Sequence, residues 1–187
     1  MIVAGVDEAG RGPWAGPVIA AAVILRGRVP EGLDDSKRLT ADRREQLFAA
    51  LHTSACVIGV GQASVAEIDT LNILQANHLA MTRAVEALAE APDHVLVDGN
   101  RLPPWRWPAT AIVGGDGLEA AIAAASIVAK VTRDRLMVAL DADFPGYGWA
   151  ANKGYGTAAH ARGLAELGVT PHHRRSFAPV RARLSGV

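Results

Sequence analysis

The chain is poor in cysteine and has no excess of either charge. Cys56 is the only cysteine among 187 residues, which excludes an internal disulfide framework and a cysteine-rich zinc site. It lies in the apolar stretch from Ala55 to Ile58, so we expect a buried core thiol. Nineteen basic residues balance nineteen acidic ones. A nucleic-acid partner would therefore have to be bound by a local basic patch and not by bulk positive charge.

Long hydrophobic runs are also missing. The longest, such as the run from Val18 to Leu25, are far shorter than the roughly 20 residues of a membrane helix, and no secretory signal precedes Asp7. About 50% of the residues are nevertheless apolar, which is enough for a sizeable core. We therefore expect a single domain over residues 1–187 that is cytoplasmic, monomeric and without a membrane partner.

Short β-branched runs and helical patterns alternate along the chain. Strands are predicted at Ile2–Val6, Val18–Leu25, Ala55–Gly61, in the segment HVLVD and in the segment ATAIV. Helices are predicted after Thr40, after Ser64, over Thr70–Glu90, over residues 118–144 and over Thr157–Leu167. The alanines of the fourth helix leave little bulk, so it should pack close to the sheet. This order predicts an α/β fold with a mixed central sheet flanked by helices, and a small C-terminal helical extension over about residues 145–187.

Four acids stand at or just beyond the carboxyl ends of predicted strands: Asp7, Glu8, Asp98 and Asp116. Either of the last two, each followed by glycine, could alone be a simple turn residue. Four carboxylates within about 4 Å would repel by roughly 1 to 4 kcal/mol per pair, so their convergence requires a cation. Carboxylate oxygens favour Mg²⁺ or Mn²⁺ over Zn²⁺. Two such ions would offset the four charges, as in two-metal phosphoryl chemistry.

A glycine-rich loop, GRGPWAG, follows the first two acids from Gly10 to Gly16. It fits neither the dinucleotide fingerprint nor the P-loop pattern, because the third glycine is one place too late and no lysine follows. One interpretation is a sterically required hairpin. The other is a loop whose main chain approaches a sugar or phosphate more closely than side chains could.

Seven segments of the chain, in order, resemble the ribonuclease HII family, the type 2 ribonucleases H of bacteria. They are VDEAGRGPWAGPV, LDDSKRLT, IDTLNILQANHLAM, VLVDGNR, VGGDG, IAAASIVAKVTRDR and NKGYGTAAHARGLAELGVTPHHRRSFAPV. The resemblance implies a ribonuclease H-like fold and Mg²⁺- or Mn²⁺-dependent cleavage of RNA in RNA/DNA hybrids. It also implies incision 5′ to a single ribonucleotide embedded in duplex DNA, leaving 3′-hydroxyl and 5′-phosphate ends.

The resemblance also assigns roles to residues. The four acids match the four acids of the family. Gly10, Arg11 and Gly12 match its Gly-Arg-Gly element, which contacts the 2′-hydroxyl, the group that distinguishes RNA from DNA. Tyr155 matches a tyrosine that packs on the deoxyribose next to the junction.

Candidates for phosphate contacts lie in two further segments. Ser36 and Lys37 either form a solvated approach to the next helix or, as the resemblance favours, contact phosphate, with Lys37 as a point charge. The basic run from His172 to Arg175 is either a solvated turn or, together with Lys153, a track for backbone phosphates.

Other polar and aromatic residues have plainer interpretations. Lys130, Arg133 and Asp134 share one helix face and read as a surface ion-pair set, with Asp134 supporting the metal ligands from outside and not binding the ion. Trp105 and Trp107 stand beside prolines and should serve packing.

The chain departs from the family pattern at two positions near the predicted site. Asn152 stands where the family often has histidine, and Gly114 where it often has lysine, so metal or substrate affinity could be shifted. The final segment SFAPVRARLSGV has no apolar-aromatic motif, so we expect no sliding-clamp recruitment through it. Two alternatives stay open: another metal-dependent nuclease of this fold, such as a junction resolvase, and a non-catalytic module that binds hybrids.

Overall fold

The computed structural model describes residues 1–185 and contains a five-stranded mixed sheet in the order β3-β2-β1-β4-β5. The strands are β1 (Val3–Ala9), β2 (Val18–Ile24), β3 (Val57–Ala63), β4 (His94–Asp98) and β5 (Ala109–Ile112). β1 pairs antiparallel with β2 and parallel with β4, and β5 is parallel to β4. The predicted α/β class with a mixed central sheet is confirmed.

Seven helices surround the sheet in the described part of the chain. They are α1 (Ala41–Thr53), α2 (Val65–Leu71), α3 (Ile73–Glu86), α4 (Ala120–Asp143), α5 (Trp149–Asn152), α6 (Ala158–Leu167) and α7 (Ala178–Leu184). Three begin at the residues that the sequence predicts. The side chains of Thr40, Ser64 and Thr157 each accept a hydrogen bond from a backbone N–H three residues later, and at Ser64 the capping box is complete.

The prediction of one long helix over Thr70–Glu90 is wrong. Two helices meet at Asn72, whose φ of 77° ends α2, while its side chain accepts a hydrogen bond from the Gln75 N–H and so begins α3. With ψ at 166°, this conformation lies outside the left-handed helical region and is rare in residues other than glycine, whereas the asparagine side chain is a good N-cap. The apolar stripe is continuous across the break, so periodicity alone could not reveal it.

The helices cover both faces of the sheet, and two of them approach it closely. α4 and α1 pack on one face, and α2 and α3 on the other. A Cβ on Gly5 of β1 would lie 2.1 Å from the carbonyl carbon of Ala121, and one on Gly61 of β3 would lie 2.1 Å from the Ala80 carbonyl oxygen. The expected close packing of the alanine-rich helix α4 is therefore confirmed, and α3 packs equally closely.

The helices α5 to α7 form the predicted C-terminal helical part. A third cluster of buried side chains connects this part to the Gly10–Gly16 loop and to α4: it comprises Ala15, Met137, Tyr147 and Trp149. The C-terminal part is thus packed on the loop that follows the first two acids. That it binds substrate stays a prediction, and its last two residues, 186 and 187, lie outside the described part.

Two smaller predictions are also decided. Trp105 and Trp107 pack against the core in edge-to-face geometry, with ring centroids 5.5 Å apart, as expected. The expectation of a buried core thiol is wrong: Cys56 is only partly buried, because it packs at the margin of the apolar cluster formed with α1 and α4. Over residues 1–185, no helix combines the length and apolar character needed to cross a membrane.

Candidate active site

Three carboxylates meet where β1 and β4 run side by side. Asp7, Asp98 and Asp116 each offer an oxygen, and these oxygens all lie within 4.8 Å of one another. Val6 of β1 pairs with Val97 of β4 in parallel register, so the next residues, Asp7 and Asp98, are neighbours on one face. Asp116 lies in a 3₁₀ turn after β5, and its N–H donates to Oδ1 of Asp98 at 3.3 Å. This arrangement could hold a shared cation.

The fourth acid, Glu8, reaches the site from the other face of the sheet. β1 continues to Ala9 and does not end at Val6, so Asp7 and Glu8 lie within the strand and their side chains point to opposite faces. Oε1 of Glu8 lies 3.7 Å from Nη1 of Arg11. Oε2 is buried and has no hydrogen-bond partner among residues 1–185. Glu8 is therefore adjacent to the group of three carboxylates without belonging to it.

The environment of these acids disfavours their charged forms. Burial, followed by repulsion from Glu8 and Asp98, raises the pKa of Asp7 well above its ordinary value. Burial also raises the pKa of Asp116, again with repulsion from Asp98. Burial raises the pKa of Glu8 although Arg11 acts in the opposite direction. A hard divalent cation would offset this repulsion and supply a partner for the unpaired Glu8 oxygen, so the donor set fits such an ion.

A cavity of about 240 Å³ opens above the acids and is lined by side chains from several elements. Nζ of Lys37 lies 3.7 Å from Oδ2 of Asp116. Burial lowers the pKa of Lys37, but the carboxylates of Asp35 and Asp116 outweigh this effect and raise it. Ser36 is buried, and its hydroxyl accepts a hydrogen bond from Ser126 Oγ at 2.7 Å. Lys37 therefore keeps its positive charge at the rim of the cavity, whereas the buried Ser36 hydroxyl is hydrogen-bonded within the fold.

The Gly-Arg-Gly element forms one wall of this acid cavity. Gly10 has a φ of 96°, and a Cβ there would lie 1.9 Å from Nε of Arg133, so glycine is required on two grounds. A Cβ on Gly12 would lie 3.3 Å from Cε1 of Tyr155. Tyr155 is 47% exposed and lines the same cavity as Arg11. The structure therefore brings this element, Tyr155 and the acids together.

Arg133 holds the loop from behind, and its prediction as part of a surface ion-pair set is wrong. It is 2% exposed, and it donates to the carbonyl oxygens of Pro17, Lys153 and Ala15 at 2.9, 2.8 and 2.9 Å. Burial lowers its pKa to about 10. The sequence pattern suggested a solvated helix face because spacing alone does not show which face is covered.

Arg174 is a second buried anchor, so the prediction that this residue and His173 belong to a solvated or phosphate-binding run is wrong. It donates to the carbonyl oxygens of Gly16 and Arg11, both at 2.9 Å, and also to that of Gly10. Burial, with the nearby positive charge of Arg133, lowers its pKa to about 9. A loop rich in glycine and proline leaves carbonyls without strand partners, which is the sequence signal that could have indicated a buried arginine.

Two neutral imidazoles complete the support of the loop. Nδ1 of His160 donates to the Tyr155 carbonyl at 3.0 Å, and its Nε2 accepts from Nε1 of Trp149 at 3.2 Å. Nδ1 of His173 accepts from the Thr170 N–H at 3.0 Å, so its Nε2 carries the proton and donates to Nε2 of His160 at 3.1 Å. Burial and the neighbouring His160 lower the pKa of His173 to about 4. Protonation of either ring would place two donors face to face.

The remaining site candidates do not line the acid cavity. Lys153 has a φ of 53° and contributes its carbonyl to Arg133, and the Arg175 N–H donates to Asp69 at 3.0 Å. Their phosphate contacts stay predictions. Asn152 donates to the Tyr147 carbonyl and accepts from the Gly154 N–H, so it holds the turn before Tyr155.

Lys130 and Asp134 do form the expected ion pair, at 2.8 Å, and both line the acid cavity. Gly114 has a φ of 66° with open space around it. A lysine there would be strained by that backbone conformation but would meet no neighbouring atom.

Comparisons with known proteins agree with this geometry. The family model described as "Ribonuclease HII" matches residues 4–180. The ribonuclease HII of Sphingopyxis alaskensis is 62% identical over 96% of this chain and 90% of its own length, and that of Rhizorhabdus wittichii is 63% identical over 95% and 88%.

Among solved structures, the ribonuclease H2 of Pyrococcus horikoshii OT3 superposes with a TM-score of 0.81 at 28% identity, covering 100% of this chain and 98% of that one. The RNase HII of Archaeoglobus fulgidus, solved in complex with PCNA, gives a TM-score of 0.74 at 26% identity, covering 93% and 94%. Because a family model spans nearly the whole sequence and close relatives share about three fifths of it, this chain belongs to the ribonuclease HII family and is an endoribonuclease.

Proposed function

We propose that this protein cleaves the RNA strand of RNA/DNA hybrids and incises duplex DNA on the 5′ side of a single embedded ribonucleotide, leaving 3′-hydroxyl and 5′-phosphate ends. The observation that carries the proposal is a group of three aspartates, two of which, Asp7 and Asp98, line one cavity together with the glycine loop. The acids suit metal-assisted phosphodiester hydrolysis, and the loop suits close contact with a sugar.

Asp7, Asp98 and Asp116, with Glu8 on the opposite side, are the residues that would hold two Mg²⁺ or Mn²⁺ ions. Such ions, when bound, activate water and stabilise negative charge on phosphate and on the leaving oxygen. Lys37 adds a fixed positive charge beside Asp116, which favours a phosphate at that rim.

Recognition of the ribonucleotide would come from the loop and its neighbour. Gly10 and Gly12 allow the main chain to approach the sugar, and Arg11 supplies donors beside Glu8. The exposed ring of Tyr155 lies against Gly12, where it would pack on the next sugar. A ribose at that sugar would place a 2′-hydroxyl against the ring, so we expect a DNA–RNA junction to be read there.

The test is an end-labelled DNA duplex with one ribonucleotide, incubated with Mg²⁺ or Mn²⁺ beside a matched all-DNA duplex, with the cut position read on a sequencing gel. We expect a single cut 5′ to the ribonucleotide and no cut in the control. Equal cleavage of the all-DNA duplex would show a nuclease of another specificity, and tight binding without product in either metal would show a binding module.

A further inference from the structure

A second cavity, of about 380 Å³, adjoins the acid cavity on the α3 side of the sheet. It is bounded by Leu74, Asn77, His78 and Met81 of α3 and by residues 99–101 after β4. Glu8, Arg11 and Asp98 line both cavities. The chemistry proposed above leaves this α3 cavity without a role, although it shares a wall with the reacting groups.

Two side chains that line the α3 cavity each have a buried polar atom without a hydrogen-bond partner in the described part of the chain. Asn77 is 3% exposed, and its Oδ1 has no hydrogen-bond partner within residues 1–185. The same is true of Nδ1 of His78, the next residue of α3. A buried acceptor left unpaired costs about 1 to 3 kcal/mol, and such atoms in folded proteins usually have a ligand or water as their partner. Asn77 therefore has an unsatisfied acceptor beside the α3 cavity, which a hydrogen-bond donor from a ligand would satisfy.

The rim of the α3 cavity is positively charged. Arg11 and Arg101 both line it and are exposed to solvent. Burial, and then the charges of these two arginines, lower the pKa of His78. A ligand would therefore combine a hydrogen-bond donor for Asn77 with negative charge near the arginines.

We propose that the α3 cavity binds the sugar-phosphate backbone of the RNA strand at a nucleotide beside the one at the cut, with Oδ1 of Asn77 accepting from its 2′-hydroxyl and Arg101 facing its phosphate. The sugar-phosphate of DNA contains no hydrogen-bond donor, whereas a ribose has one in its 2′-hydroxyl. Asn77 would thus extend recognition from one ribonucleotide to a run of them. The inference rests on the proposed function, because it places an RNA strand across the acids.

A 2′-fluoro scan tests the contact directly. The substrate is a DNA strand with five consecutive ribonucleotides paired to DNA, in which one ribonucleotide at a time is replaced by its 2′-fluoro analogue, which cannot donate a hydrogen bond. For the unaltered enzyme, we expect kcat/KM to fall about 2- to 10-fold at one position beside the cut-site nucleotide. In Asn77→Leu, that position should become insensitive while the cut-site nucleotide stays sensitive.

Gln75→Leu is the matched control, because Gln75 lies exposed on the same helix and outside the α3 cavity. It should keep the unaltered pattern. Asn77→Ala replaces Asn77→Leu if thermal unfolding shows that leucine disturbs the fold. Arg101→Ala should lower the slope of log affinity against log salt by about one.

The proposal is wrong if the unaltered enzyme shows no 2′-fluoro sensitivity beyond the cut-site nucleotide, or if Asn77→Leu retains that sensitivity. Failure of the proposed function would look different. In that case the duplex with one ribonucleotide would not be incised, whereas the scan on ribonucleotide runs could still be read.

Discussion

Two groups of buried charged side chains lie close together in this molecule, and they differ in whether the fold supplies their partners. Arg133 and Arg174 are buried, and each donates to three or more backbone carbonyls. Asp7 is 4% exposed, and it faces other acids. The arginines are fully hydrogen-bonded within the fold, whereas Asp7 and Asp98 form no ion pair with a basic side chain among residues 1–185, and Glu8 and Asp116 each have only one basic neighbour at 3.7 Å. Stability and reactivity are thus assigned to neighbouring but separate groups.

Removing one acid should have the largest effect. Asp7→Asn should lower hybrid cleavage by about 10²- to 10⁴-fold, because a lost metal ligand removes several kcal/mol of transition-state stabilisation. The same change should raise the stability of the metal-free protein at neutral pH. The folded pKa of Asp7 lies above its unfolded value, so stability falls as the pH rises from the unfolded pKa to the folded one, and the loss is complete above the folded pKa.

Single-turnover cleavage and thermal unfolding in chelator measure the two effects. Asp143→Asn is the control, since Asp143 is an exposed acid at the end of α4. Added Mg²⁺ should raise the unfolding midpoint of the unaltered protein more than that of Asp7→Asn. Unchanged cleavage by Asp7→Asn would refute the metal assignment.

Removing one arginine should instead cost stability. Arg174→Met leaves the carbonyls of Gly10, Arg11 and Gly16 without their donor, so we expect a loss of about 2 to 4 kcal/mol in the free energy of unfolding. Urea unfolding measures it. Arg175→Met is the control, because only the backbone of Arg175 is hydrogen-bonded in the fold, and it should change stability by less than about 0.5 kcal/mol. Equal losses in the two variants would contradict the anchoring role.

The contact between loop and arginine can be broken from the other side. Gly10→Ala adds a Cβ 1.9 Å from Nε of Arg133 at a φ of 96°, and we expect a loss of about 2 kcal/mol from clash and backbone strain together. Gly168→Ala separates the two causes, because Gly168 has a φ of 82° but open space around it. It should lose about 1 kcal/mol by strain alone. A Gly10→Ala protein no less stable than Gly168→Ala would show that the clash is relieved.

An effect of similar size should appear as a pH dependence of opposite sign to that of the acids. The folded pKa of His173 is about 4, below the unfolded value of about 6.5. Between these values the unfolded chain binds more protons, so stability is full above about pH 6.5 and falls as the pH drops toward 4, with a loss of about 2 kcal/mol at pH 5. Urea unfolding at pH 7.5 and pH 5 measures this. His173→Phe should reduce the change in the free energy of unfolding between these two pH values. An unchanged difference would show that His173 does not cause it.

Most of the sheet and the identity of the acids could be predicted from the sequence. Short apolar strands ending in carboxylates are a local pattern, and the parallel pairing of β1 with β4 brings Asp7 and Asp98 together. That Glu8 points to the opposite face of the sheet from Asp7 was not predicted from the sequence. The end of β1 was placed at Val6, and side chains alternate between faces only within a strand.

The arginine anchors were not predictable for a different reason. Their partners are backbone carbonyl groups, so the glycine- and proline-rich loop indicates that donors are needed but not which residues elsewhere in the chain supply them. His173 and Arg174 look like a basic run in the sequence, and only the packing of the C-terminal helices shows that they are covered. The break between α2 and α3 at Asn72 was not predicted, because a φ of 77° at one residue does not change the spacing of the apolar residues.

These two anchors determine when the loop can be fixed during synthesis of the chain. The loop lies at the beginning of the sequence, but its donors come 116 residues later at Arg133 and 164 residues later at Arg174. Because contacts between residues so far apart form only after the intervening chain is present, a growing chain cannot anchor the Gly10–Gly16 loop before residue 174 has left the ribosome. A nascent fragment that already carries all four acids would therefore still lack its anchored loop, so we expect cutting to begin only after Arg174 has been synthesised and has reached the loop.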